Sequence, residues 1–104
     1  MAKVEIQPGA CGFTTVVETT MDGDVCKISI QSGCPAIQRM AAELTEVSPF
    51  QEISFRRQGP KTMEMAAKYC SHAACPVPVG IIKAVEVEAK LNLPVDATIK
   101  VSRE

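Results

Sequence analysis

Two runs of β-forming residues around a turn constrain this chain more than any other feature. Phe13 to Thr20 is dense in Thr and Val. Val25 to Gln31 alternates, with Cys26, Ile28 and Ile30 on one face and Lys27 and Ser29 on the other. β-branched residues suit a pleated, half-buried surface, and a period of two is that of a strand. Asp22-Gly23 lies between the runs, and a glycine that tolerates positive φ makes this dipeptide a hairpin turn. The expectation is an antiparallel hairpin ending at Ser32-Gly33-Cys34-Pro35. Val4-Glu5-Ile6 also alternates and precedes Pro8-Gly9, so it reads as a short strand and turn.

Helical patterning follows the hairpin. Pro35 suits the first position of a helix, where its missing N–H costs nothing. Ile37, Met40, Ala41, Leu44 and Val47 then recur at helical spacing until Ser48-Pro49 breaks the run. Ser48 and Gln51 match a capping box, so Pro49 to Ser54 reads as a short helix. Arg56-Arg57-Gln58-Gly59-Pro60 is a polar loop, and the solvated-surface reading of Arg56, Arg57 and Lys61 outweighs a phosphate site. Lys61 to Tyr69 is rich in helix formers, with Met63, Ala66, Ala67 and Cys70 compatible with an inward face. A last helix runs from Pro76 to Leu91, with Val77, Ile81, Ala84, Val85 and Glu88 or Ala89 spaced for burial on one side; Asn92 and Pro94 end it. Ala97 to Val101 reads as a final strand. The predicted architecture is α+β: a small antiparallel sheet, made of the N-terminal hairpin plus a C-terminal strand, with three to four helices on one face.

The 104 residues amount to one Cys-rich domain, 1–104. A chain of this size buries roughly two-thirds of its unfolded surface. A net charge of −1 gives no electrostatic reason for nucleic acid or an anionic membrane as partner, and 4% aromatics leave no base-stacking platform. Charges interrupt the N-terminal run Met1-Ala2-Lys3-Val4-Glu5-Ile6, so it does not read as a signal peptide, and no stretch is long enough to span a bilayer. The expected location is the cytoplasm, where thiols stay reduced. Five cysteines is a high and odd number for that compartment. Metal binding or thiol chemistry explains it better than a complete disulfide framework.

Cys34 and Cys75 share a situation: each is followed by Pro and stands just before a helix. Free N–H groups and the helix dipole favour a thiolate there, the form that binds metal or attacks a disulfide. Cys70 and Cys75 have four residues between them, the upper end of the spacing of paired zinc ligands. Cys11 begins one hairpin strand and Cys34 follows the end of its partner, and antiparallel pairing puts those two ends side by side. Cys11, Cys34, Cys70 and Cys75 thus read as one tetrad. Cys26, just past the turn, reads as core. His72 is the only histidine; with four thiols available it reads as a neighbour of the site rather than a ligand. Met40, Met63 and Met65 read as core filler.

Gly33-Cys34-Pro35 after a strand, an amphipathic helix, Cys70, and Ala74-Cys75-Pro76 opening a last long helix resemble the TSCPD domain. That domain takes its name from a Thr-Ser-Cys-Pro-Asp motif and occurs alone or at the C-terminus of some vitamin-B12-dependent ribonucleotide reductases. It also carries an early Cys before its hairpin, which Cys11 matches. The resemblance spans about residues 11 to 91. It implies metal, zinc foremost, held by Cys11, Cys34, Cys70 and Cys75. The motif here reads Ala73-Ala74-Cys75-Pro76-Val77, so no role that rests on the motif's Asp carries over.

The leading expectation is a small metal-binding protein in which the tetrad holds zinc or an iron–sulfur cluster. Cysteine ligation suits both. A closed four-thiolate zinc site is structural and stabilises a fold by ~10–16 kcal/mol on the scale of zinc-finger peptides. A second reading is thiol–disulfide or persulfide chemistry with Cys75 or Cys34 as nucleophile, though the CxxC spacing is lacking. A third is a binding module for a protein partner whose cysteines are only core. No Ser-His-Asp set, phosphate-cradling glycine loop or catalytic carboxylate pair supports a catalytic reading.

Overall fold

A computed structural model describes all 104 residues. Strands β1 (Ala2–Ile6), β2 (Thr15–Asp22) and β3 (Val25–Ser32) are followed by helix α1 (Pro35–Glu43). A two-residue strand β4 (Glu46–Val47) and a one-turn helix α2 (Pro49–Glu52) come next, then α3 (Lys61–Tyr69) and α4 (Val77–Glu88). The sheet is antiparallel in the order β1-β2-β3-β4. This is the expected α+β architecture with the helices on one face. No helix is long and apolar enough to cross a membrane.

The hairpin forms where the sequence indicates. Asp22 pairs with Val25, which leaves Gly23 and Asp24 as a two-residue loop. Gly23 has φ 63° and Asp24 does not share the positive φ, the pattern of a type II′ turn, whose twist matches that of the flanking strands. The pleat turns Val17, Cys26 and Ile28 inward, and with Ile6, Ile37, Met40, Leu44, Val47, Val77, Ile81, Ala84 and Val85 they form the core. Lys3, Glu5, Lys27 and Ser29 cover the opposite, exposed face.

Helix α4 lies across β1 and β2 and is fastened at successive turns. At Gly80 the backbone comes so close to β1 that an added Cβ would fall 2.6 Å from Ile6 Cγ1. One turn on, the buried Thr19 hydroxyl donates to the Ala84 carbonyl at 2.9 Å. One turn further, Glu88 accepts from the Met21 N–H at 3.0 Å and pairs with the N-terminal ammonium of Met1 at 3.3 Å. These contacts hold the Glu88 carboxyl below its ordinary range, the Met21 hydrogen bond most of all.

A second polar anchor is Glu52, 1% exposed at the end of α2. Its carboxylate accepts from the Lys61 N–H at 2.8 Å, the Thr62 N–H at 2.9 Å and the Thr62 hydroxyl at 2.6 Å. Helix α3 starts at Pro60-Lys61 with no side-chain cap of its own, and its first N–H groups need acceptors. A carboxylate from another helix supplies them, on the side where the helix dipole favours negative charge. Thr15 is satisfied the same way, donating to Ser32 Oγ at 2.8 Å. No buried side-chain nitrogen or oxygen lacks a partner.

Five expectations are corrected. Val47 does not continue α1: the helix ends at Glu43, and the chain turns so that Glu46 and Val47 pair with Lys27 and Cys26. The Ser48 capping box does not form; Ser48 makes no side-chain cap, although α2 is present. Helix α3 presents Met65, Ala66, Tyr69 and Cys70 to the core, while Ala67 is exposed. Helix α4 is shorter than expected, Val77–Glu88, because Lys90 takes φ 62° and closes its end. Finally, Ala97 to Val101 joins no sheet; the chain beyond Ala89 is exposed and unpaired.

Two substitutions test these anchors. Gly80→Ala should gain about 1 kcal/mol of helix propensity and lose more to overpacking against Ile6, about 1–3 kcal/mol. The expected denaturation midpoint is lower than wild type, and Ile6→Val should restore part of it by trimming the methyl in the way. Glu52→Ala should cost about 3 kcal/mol in the same measurement, because it orphans two helix N–H groups and a buried hydroxyl.

Candidate thiol site

The hairpin's open end and two helix ends bring Cys34, Cys70 and Cys75 to one side of the core. Cys34 is the N-cap of α1, with φ −77° and ψ 122° and Pro35 after it. Its N–H donates to Ser32 Oγ at 3.1 Å, and Gln38 Nε2 donates to the Ser32 carbonyl at 2.8 Å, so the turn into α1 is held from both sides. Cys70 is the C-cap of α3, its N–H donating to the Ala66 carbonyl at 2.8 Å. Cys75 stands just before Pro76, the N-cap of α4, and its N–H donates to the His72 carbonyl at 3.2 Å. All three are half-buried and pack against the core.

Cys70 is within reach of the charge of the other two. Burial pushes the Cys70 thiol up, and the negative charge that Cys75 and Cys34 can carry pushes it further. A half-buried thiol whose ionisation is opposed by burial and by two neighbouring sulfurs is a place whose natural complement is a cation. No set of three His, Cys, Asp or Glu side chains stands at ligating geometry. Two shallow hollows, of about 230 and 170 Å³, open elsewhere, on the sheet's polar face and beside α2, α3 and α4; no cysteine lines either.

The remaining candidates are either exposed or fully buried. Cys11 is exposed on the β1–β2 loop, which turns at Gly12 (φ 72°). Two residues on, the Phe13 ring lies 3.1 Å from where a Cβ on Gly33 would sit. The Cys11 loop is therefore seated on the turn that carries Cys34, but Cys11 is not among the groups acting on Cys70. His72 is exposed on the Cys70–Pro76 loop and contributes its carbonyl. Cys26 is fully buried at the other end of the hairpin. Burial raises its thiol, with the charge of Glu88 adding to the effect. Arg56 and Arg57 are exposed, and Arg57 takes φ 61°. All five thiols are free.

Sequence reasoning missed Glu52 and Tyr69. Glu52 sits between the exposed Phe50 and Ile53, so no periodicity marks it as inward. Tyr69 packs on the core, its hydroxyl is the main cause of a lowered Glu43 carboxyl, and Lys68 pairs with Glu43 at 3.3 Å. These contacts tie the ends of α1 and α3 together, the two helices that carry Cys34 and Cys70.

Raised thiols give a signed pH dependence. The native state keeps protons on Cys26 and Cys70 at a pH where the unfolded chain, with ordinary thiols near ~8.5, has released them. Stability is then fully present below that value and declines as pH rises through the native ones. Urea midpoints should be level from about pH 7 to 8 and fall above about pH 9. A stability that rises across that interval contradicts the assignment.

No curated protein and no solved structure matches this chain. A family model does, over residues 2–101, and takes in every strand and helix described above. The chain belongs to that family, DUF6951, a family of unknown function.

Proposed function

We propose that this is a small metal-binding protein in which Cys34, Cys70 and Cys75 hold a soft cation, zinc or the iron of an iron–sulfur cluster, with Cys11 as the fourth ligand. The observation that carries the reading is the convergence of three half-buried thiols from three separate elements, close enough for two to act on the charge of the third. Thiolates are the donors that zinc and iron–sulfur clusters share. A bound cation opposes the effects that raise the Cys70 thiol, burial first and then the charge of Cys75 and Cys34. Cys11 is on a loop seated by Phe13 on the turn that carries Cys34, which makes it the candidate fourth ligand. The resemblance to the TSCPD domain, through Cys11, Gly33-Cys34-Pro35, Cys70 and Cys75-Pro76, points the same way. His72 stays outside the ligand set. Free thiols held for a metal suit a reducing compartment such as the cytoplasm.

The thiol–disulfide or persulfide reading keeps one specific support, the N-cap position of Cys34. Metal analysis of protein purified without added metal separates the two. Metal binding predicts about one equivalent of zinc, or the visible absorption of a cluster, together with a fall in melting temperature on chelation. Cys34→Ser, Cys70→Ser and Cys75→Ser should each remove most of the metal, and Cys26→Ser none. Trace metal in every preparation, with a melting temperature indifferent to chelator, overturns the reading.

A further inference from the structure

The C-terminal segment has the pattern of a strand and no strand to pair with. Leu93, Val95, Ala97, Ile99 and Val101 occupy every second position, with Pro94, Asp96, Thr98 and Lys100 between them. That alternation belongs to one buried and one solvated face. Yet Ile99 is 80% and Val101 89% exposed. Beyond Leu93 the only backbone hydrogen bond is local, from the Val95 N–H to the Leu93 carbonyl at 2.9 Å.

The sheet has the complementary defect. β1 pairs with β2 on one side and with nothing on the other, which leaves a row of unpaired N–H and C=O groups. Val4, in the middle of this edge, packs against the core but is only half-buried. We propose that the segment around Ala97–Val101 adds as a strand to the β1 edge of a second copy of this chain, in a reciprocal exchange that forms a two-fold dimer.

Three observations select this occupant. The first is length and side-chain match. β1 has five residues, Ala-Lys-Val-Glu-Ile, and Ala97–Val101 reads Ala-Thr-Ile-Lys-Val. Aligned in parallel, Ala2, Val4 and Ile6 stand beside Ala97, Ile99 and Val101. The second is charge. In that register Glu5 stands beside Lys100 and Lys3 beside Thr98. In the antiparallel register that places Ile6 by Ile99, Glu5 again meets Lys100 and Lys3 meets Ser102. Opposite charges across strands stabilise a pair, and like charges oppose it; neither register creates a like pair. The third is the exit from α4. The Leu91 N–H donates to the Glu86 carbonyl at 2.8 Å and the Lys90 N–H to the Val87 carbonyl at 3.1 Å, with Lys90 at φ 62°. This is a Schellman cap. It ends the helix, and every residue after it is exposed, none of them paired with the chain's own sheet. Both β1 and the segment fall within the family's matched span, 2–101.

Exchange of strands supplies main-chain hydrogen bonds for two edges at once and closes on itself by symmetry, so assembly stops at two. The metal reading plays no part in it.

The test is the mass of the full chain by light scattering over a range of concentrations, with and without chelator, beside amide hydrogen exchange. A dimer is expected under both conditions, with residues 97–101 and the outer amides of β1 more protected as concentration rises. Thr98→Pro removes an N–H from the added strand where the monomer has nothing to lose, and should weaken the dimer at least ~10-fold, with an unchanged melting transition for the monomer. Four results overturn the proposal: a monomer at every concentration, a dimer that chelator dissolves, a dimer indifferent to Thr98→Pro, or tail protection independent of concentration, which places the tail on its own sheet.

Discussion

The close approach of α4 to the sheet is the constraint on which the other contacts depend. Gly80 brings the helix backbone down onto Ile6. Only at that distance can Thr19, on the inward face of β2, reach the Ala84 carbonyl, and Glu88 reach the start of β1 and the end of β2. Each is a polar group placed where an apolar one is the default, and each is compensated by a partner on the other element. Burying a hydroxyl without such a bond costs more than the bond itself returns. The spacing of helix and sheet is therefore narrowly specified: Val77, Ile81, Ala84 and Val85 fill it at that separation.

Helix α3 depends on the same logic one layer out. It is nine residues long, short for an isolated helix, and has no cap of its own. Glu52 holds its first turn, while Tyr69 and Lys68 tie its last turn to Glu43 at the end of α1. The position of Cys70 is a consequence. It ends a helix clamped at both ends, while Cys34 is the N-cap of α1 and Cys75 stands just ahead of α4. Thiols from three elements come to one side of the molecule because those elements share one core. A Cys70 thiol raised by burial, and further by its two neighbours, is the chemical property that the fold creates there.

The exposed C-terminal strand pattern and the open β1 edge are two incomplete features with matching side chains. An unpaired edge invites association, and proteins usually blunt it with charge or cover it. Here the edge carries Lys3 and Glu5, a pair of opposite sign with 3.7 Å between them, both exposed. That arrangement discourages promiscuous pairing while leaving Glu5 available to a strand that presents a cation.

What the sequence by itself determined is local. The hairpin is legible because a period of two, β-branched residues and Asp22-Gly23 all agree; α1 and α4 are legible from Pro-led apolar stripes, and Cys26 from its place beside Ile28. The convergence of Cys34, Cys70 and Cys75 was partly legible, through hairpin ends that antiparallel pairing puts together. Tertiary structure alone decided the rest. Val47 has helical spacing from Leu44, yet pairing with Cys26 draws it into the sheet, because β3 offers hydrogen bonds that a frayed last turn does not. Glu52 has no periodic signal because its partners are the backbone of another helix. Gly80 reads as a weak point in a helix until the sheet beneath it is known. The segment Ala97–Val101 has strand periodicity, but a strand needs a neighbour, and that is a property of the assembled fold that no local pattern contains.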